Sequence, residues 1–246
     1  MDRHNRTIVV TGATGRQGGA VARHLASARW AVRAITRDPS KSAARALRRL
    51  GIEVARADME DRPSLDAVMR CAYGAFSVQN YWQHGYEAEV RQGIHVADAA
   101  HEAGVAHLVY SSVGGAERNA GLAHFESKWR IEQHIRALGI AATIVRPVFF
   151  MENLFAWLTF DAERDHWVLR MPLPPDVPLQ MVAVRDIGGF VALVFDYAAR
   201  FRGQAFELAG DELTMPQVAA LLARHIEEPV EYVAMPLEER RAQSAE

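Results

Sequence analysis

The stretch RTIVVTGATGRQGGAVARHLASA, residues 6–28, limits the possible folds more than any other part of the chain. A β-branched run ends at Gly12, and glycine recurs at Gly15 and Gly18. A helical pattern follows at once, with Val21, Leu25 and Ala28 on one face. A strand that turns through glycines straight into an amphipathic helix must bury that helix against its own sheet. The glycine spacing is G-x-x-G-x-x-G. Such glycines allow a tight turn and a close backbone approach, and the helix N-terminus beyond them favours a phosphate.

The pattern then repeats. Strand-like runs at 30–37, 52–58, 73–79, 105–112 and 140–147 alternate with helical runs at 40–51, 61–71, 85–103 and 123–139. This rhythm predicts an α/β fold, a doubly wound parallel Rossmann sheet, with its ligand beyond the strands' C-terminal ends. After Pro147 the rhythm loosens into a small C-terminal α+β lobe. Residues 149–160 read as a short helix, and 171–180, with four prolines, as a loop. A strand at 181–184, a helix at 185–198, a strand at 204–210 and a helix at 214–226 follow, the last capped by Thr214 with Pro216 in its first turn. The expected division is a dinucleotide-binding domain over 1–147 and a cleft-closing lobe over 148–246, some of whose strands join the main sheet.

Composition narrows the function. A net charge of −2 argues against direct nucleic-acid binding. Residues 1–58 nevertheless carry 12 Lys and Arg against 4 Asp and Glu, which suits a small polyanion. No apolar run is long enough for a membrane span, and the N-terminus lacks a signal-peptide pattern. The single cysteine, Cys71, is expected to be a small core residue, and its solitude fits a reducing cytoplasm. No metal-ligand spacing occurs. The 85–103 helix is a candidate homodimer interface. Of 28 basic residues only Lys41 and Lys128 are lysine, so each is a candidate for work a guanidinium cannot do.

The end of the second strand bears on the cofactor. NAD binders place an acid there for the ribose hydroxyls. This chain has Arg37, then Asp38, Pro39, Ser40 and Lys41. Arg37 and Lys41 suit a 2′-phosphate, and Asp38 reads as a turn residue, so NADP(H) is preferred over NAD(H). Asp58 either accepts from an adenine amino group, with Met59 on the ring, or caps the turn before DRPS.

TGATGRQGG, ITRDPSK, AFSVQNYW, HFESKWRIEQ, IVRPVFFMENL, VRDIGGF and FELAGDELT together resemble the NmrA-like family of atypical short-chain dehydrogenase/reductases, with its HSCARG-type NADPH sensors. The resemblance covers nearly the whole chain. It implies cofactor contacts at Gly12, Ala13, Thr14, Gly15, Arg16, Gln17 and Gly18, and at Arg37, Lys41, Asp58 and Met59. Further contacts are implied at Gln79, Asn80, Tyr81 and Lys128, at Glu152, Asn153 and Leu154, and at Arg91. The family often has Thr-Asn where this chain has Gln79-Asn80, and its members continue with further C-terminal helices.

The same resemblance frames the chemistry. Ser111, His124 and Lys128 occupy the positions of the serine, tyrosine and lysine of ordinary short-chain reductases. Histidine can donate a proton near neutral pH, but a lysine one turn away disfavours its charged form. Two functions follow. The first is an NADP(H)-binding redox sensor with little or no dehydrogenase activity and a regulatory protein partner. The alternative is an NADPH-dependent reductase of a quinone-like or enone substrate.

Overall fold

The structure is a computed structural model describing residues 3–118 and 121–239. In chain order its elements begin with β1 (Thr7–Val10), α1 (Arg16–Ser27), β2 (Ala31–Thr36), α2 (Ser42–Arg49), β3 (Glu53–Arg56) and α3 (Arg62–Met69). They continue with β4 (Ala72–Ser77), α4 (Tyr81–Glu102), β5 (His107–Ser111), α5 (Ala123–Ala137) and β6 (Ala142–Pro147). Then come β7 (Phe149–Phe150), β8 (Leu158–Asp161), β9 (His166–Met171), β10 (Leu179–Val182), α6 (Val184–Asp196) and α7 (Ala198–Phe201). The last are β11 (Ala205–Leu208), β12 (Asp211–Leu213), α8 (Met215–Ile226) and β13 (Val230–Ala234).

Seven strands form one parallel sheet in the order β11-β6-β5-β4-β1-β2-β3. Both faces must be covered, which explains why Ile8, Val9, Val10, Leu108 and Val109 are all fully buried. On one face α3, α4 and α5 supply Leu65, Val68, Val96, Ala100, Ile131 and Ile135 to a core shared with Val9, Leu108 and Tyr110. The other face receives α6, whose Phe195 stands over Gly74, where a Cβ would lie 2.7 Å from its ring. The strand order reverses between β1 and β4, so the loops there diverge and leave the ligand crevice of this fold class.

Two compact units result. The first holds the described residues up to Pro147 together with Val184–Leu208, and the second holds Val148–Ala183 and the described residues from Ala209 onward. Of the residues assigned by sequence to the lobe over 148–246, Val184–Leu208 group with the sheet, and β11 is the strand of that stretch that joins it. Their reason is hydrogen bonding and burial. β11 pairs in parallel with β6, and α6 buries Ile187, Val191, Val194 and Phe195.

In the second unit, β12-β10-β7 and β13-β9-β8 form two three-stranded sheets. The helix expected over 149–160 is instead a two-residue strand, a 3₁₀ turn over Met151–Ala156 and β8. Cross-strand pairing sets the conformation of its end, because β8 and β9 form an antiparallel hairpin. Asp161 closes its turn by accepting from the backbone amides of Glu163 and Arg164 at 3.0 and 3.2 Å. Cys71 is also corrected. It is exposed, at φ 61°, in the turn between α3 and β4, a left-handed position usually given to glycine.

Candidate functional site

The glycine turn is built by what side chains would obstruct. Gly12 has φ +60°, and a Cβ there would lie 2.8 Å from Val78 Cγ1. At Gly18 a Cβ would fall 2.4 Å from the Gly12 carbonyl oxygen and 2.5 Å from that of Thr11. These neighbours are backbone and cannot swing aside. The Thr11 hydroxyl donates to the Val78 carbonyl at 3.0 Å and accepts the Val78 amide at 2.8 Å, tying the ends of β1 and β4 together. Gly15 is the N-cap of α1, with no side-chain cap and no acid in the first turn. The first-turn amides have no intrahelical acceptor and point outward. Ala13 is buried, whereas Thr14, Gly15 and Arg16 are exposed.

At the end of β2 the Asp38 carboxylate accepts the Ser40 amide at 2.9 Å and the Ser40 hydroxyl at 2.6 Å. These bonds hold its carboxyl below the usual range, with Lys41 and Arg56 adding weaker pulls. Asp38 is thus the turn residue that the sequence suggested. Arg37 and Lys41 are exposed; among the described residues neither side chain hydrogen-bonds a carboxylate, and Lys41 acts on Asp38 only as a weaker charge. Asp58 caps its turn by accepting the Glu60 amide at 3.0 Å through Oδ1. Met59 packs on the main core, and its carbonyl bonds the His95 ring at 2.9 Å. Arg91 is paired with Glu60 at 2.6 Å, and that hydrogen bond keeps the Glu60 carboxyl below its ordinary range.

After β4, Gln79 is buried and donates to Ser77 Oγ at 2.9 Å, while its own Oε1 is buried without a partner. Asn80 caps α4 by accepting the Trp82 amide at 3.1 Å. Tyr81 lies against the His124 ring, 5.8 Å between centroids. Trp82 and Phe125 flank the same imidazole at 5.3 and 4.5 Å.

The three residues in the reductase positions have different partners. Ser111 accepts from Gln17 Nε2 at 2.5 Å, so its hydroxyl faces α1. Tyr110, one residue earlier, points into the opposite core, where burial first, then Glu89 and Glu132, push its hydroxyl far above the ordinary range. Burial lowers the His124 pKa, Lys128 lowers it further, and Glu89 opposes both. Lys128 Nζ donates to Glu89 Oε1 at 2.9 Å, and Ser127 Oγ donates to Glu89 Oε2. Hydrogen bonds join Ser111 to neither His124 nor Lys128.

Glu89 and Ser127 escaped the sequence reading. A signal existed: Glu89 shares its helical face with Gly93, Val96 and Ala100, all buried. Gly93 lets α4 approach α5 so closely that a Cβ there would meet Ile131 Cδ1 at 2.5 Å. One turn earlier on each helix, the same approach brings Glu89 to Ser127 and Lys128.

Glu152, Asn153 and Leu154 belong to the second unit, on its 3₁₀ turn, with Leu154 packed against that unit's core. Among the described residues no group of three or more His, Cys, Asp or Glu could hold a metal ion, and no helix is long and apolar enough to cross a membrane.

The first unit's residues fit a dinucleotide. Its turn excludes side chains at Gly12 and Gly18, its α1 amides suit a pyrophosphate, and the unpartnered Gln79 Oε1 at the switch point suits a hydroxyl donor. Comparison with known proteins agrees. The NAD(P)H azoreductase of Xenophilus azovorans is 30% identical over 235 residues, covering 95% of this chain and 79% of that protein. The crystal structure of NmrA, a negative transcriptional regulator, in complex with NADP is 25% identical with a TM-score of 0.84, over 94% of this chain and 75% of that one. The NADPH-dependent quinone oxidoreductase QOR2 from Escherichia coli, complexed with NADPH, is 28% identical with a TM-score of 0.80, over 93% and 78%. The chain also spans about half the length of two fungal oxidoreductases that it matches. The NmrA-like family pattern runs from residue 4 to residue 243, through both compact units, and the chain belongs to the NmrA-like family.

Proposed function

We propose that the chain binds NADP(H) and is a reductase of a flat, conjugated acceptor of the quinone or azo class, which takes its proton from water. The backbone from Gly12 to Gly18 and the α1 amides hold the pyrophosphate. Arg37 and Lys41 hold the 2′-phosphate, and among the described residues neither is hydrogen-bonded to a carboxylate, which supports NADP(H) over NAD(H). Asp58 and Met59 meet the adenine. Gln79, Asn80 and Tyr81 line the switch point, and Lys128 holds sugar hydroxyls. When bound, the dinucleotide supplies a hydride.

The observation that carries this reading is His124. Its ring is packed by Tyr81, Trp82 and Phe125, and its pKa is lowered. A neutral imidazole locked in place is a poor general acid. An acceptor that delocalises the incoming charge makes no such demand, and the matched azoreductase and quinone reductase act on acceptors of that kind. The redox-sensor reading keeps one support, the likeness to NADP-bound NmrA, a negative transcriptional regulator.

Steady-state NADPH oxidation with a quinone and an azo dye separates the two. The proposal expects turnover at least about tenfold above the protein-free rate. It also expects His124→Ala to keep most of that turnover. Tight NADPH binding without turnover on either acceptor favours the sensor, and loss of turnover in a folded, NADPH-binding His124→Ala overturns the role given to water.

A further inference from the structure

We infer that Glu89 is a positioning residue: its carboxylate holds the Lys128 ammonium in place, so that the grip on the dinucleotide is assembled before the ligand arrives. The inference rests on the proposed placement of Lys128 at the dinucleotide.

Glu89 is 0% exposed in the apolar seam between α4 and α5. A carboxylate there is costly unless both oxygens are paired. Both are: Lys128 Nζ donates to Oε1 at 2.9 Å and Ser127 Oγ donates to Oε2. Packing alone does not call for an acid, since Val90 and Val96 serve the same helix as buried apolar residues. Replacing buried ion pairs by apolar residues is often neutral or stabilising. The pair is therefore better explained by what it does to the lysine.

Lys128 keeps 14% of its side chain exposed. Its ammonium has three donors, and Glu89 takes one of them, which leaves donors for a ligand. A free lysine must lose most of its rotamer freedom when it grips a ligand, whereas Glu89 imposes that order beforehand. The other titratable groups facing the pair are His124 on α5 and Tyr110 on β5, which also faces Glu132. Neither hydrogen-bonds Lys128. In a chain with two lysines and 26 arginines, a compact ammonium at this spot suits one carboxylate oxygen, where a planar fork would not.

The test is a double-mutant cycle on NADPH affinity, measured by calorimetry. Glu89→Gln keeps the volume and removes the charge. It should weaken NADPH about tenfold in the wild-type background, and by less than about twofold in Lys128→Met, because it acts through the lysine. Ser127→Ala, a milder change, should cost about threefold under the same rule. With only two lysines, a ¹³C-lysine spectrum of ligand-free protein gives a second readout even if Lys128→Met folds poorly. The Lys128 Cε signal should broaden or shift in Glu89→Gln while the Lys41 signal stays put. Equal losses in both backgrounds, or an unchanged Lys128 signal, overturn the inference. Lys128→Met binding NADPH as tightly as wild type refutes the placement of Lys128 itself, and so is distinguishable from failure of Glu89 alone.

Discussion

The glycine turn and the α4–α5 seam lie in one compact unit and are built on opposite principles. The turn works by subtraction. It needs no side chain at Gly12 or Gly18, because backbone oxygens and Val78 occupy the space a Cβ would take. The seam works by compensation. Glu89 is admitted to the interior only because Ser127 and Lys128 meet both its oxygens. A steric device fails through whatever is added to it. A charge device fails through whatever is removed, and can be repaired by removing the partner too.

The largest expected effect follows from that asymmetry. Lys128→Met strands a fully buried carboxylate and should cost about 3–5 kcal/mol in urea unfolding. Glu89→Gln combined with it should recover most of the loss. Gly18→Ala has no repairing partner, since the obstruction is backbone, and should cost about 3 kcal/mol. If Lys128→Met costs under about 1 kcal/mol, the seam is solvated in solution and the contrast fails.

His107 sharpens the contrast, as a buried titratable group with no ion partner. Its Nε2 donates to Thr143 Oγ1 at 2.8 Å, because that hydroxyl already donates to the Phe201 carbonyl, and its Nδ1 is buried without a partner. Burial lowers its pKa to about 4, with Arg202 a smaller cause. Between about pH 6.5 and pH 4 the unfolded chain therefore binds the proton that the folded chain refuses. Stability should be full above that window and fall by roughly 3 kcal/mol as pH drops through it. His107→Gln should flatten this limb of the profile, and an unchanged limb assigns it to other groups. The smallest effect belongs to Gly19→Ala. A Cβ there meets the Ala13 oxygen at 3.1 Å and the movable Arg23 guanidinium at 3.3 Å, so the cost should stay under about 1 kcal/mol.

The same contrast explains what could be read in the sequence. Glycines at fixed offsets after a β-branched run specify a local backbone path, so β1, the turn and α1 were legible, and the βα rhythm carried the reading through β6. Asp38 was legible for the same reason, since its partner Ser40 lies two residues away. Glu89 was not, because its partners lie 38 and 39 residues downstream and only the crossing at Gly93 joins them. In the second unit, the aromatic stretch 149–160 reads as a short helix, but its end, β8, takes its conformation from β9. A strand of the lobe is expected to join the main sheet, but that it is β11, paired with β6, is a contact that spacing does not encode.

The central claim is that the basic residues after β2 grip a phosphorylated dinucleotide. Calorimetric titration of NADPH and NADH into the wild-type chain and Arg37→Ala tests it most directly. NADPH should bind the wild type at least about tenfold more tightly than NADH, and Arg37→Ala should remove that difference by weakening NADPH alone. Equal affinities in the wild type, or no heat with either dinucleotide, would contradict the account.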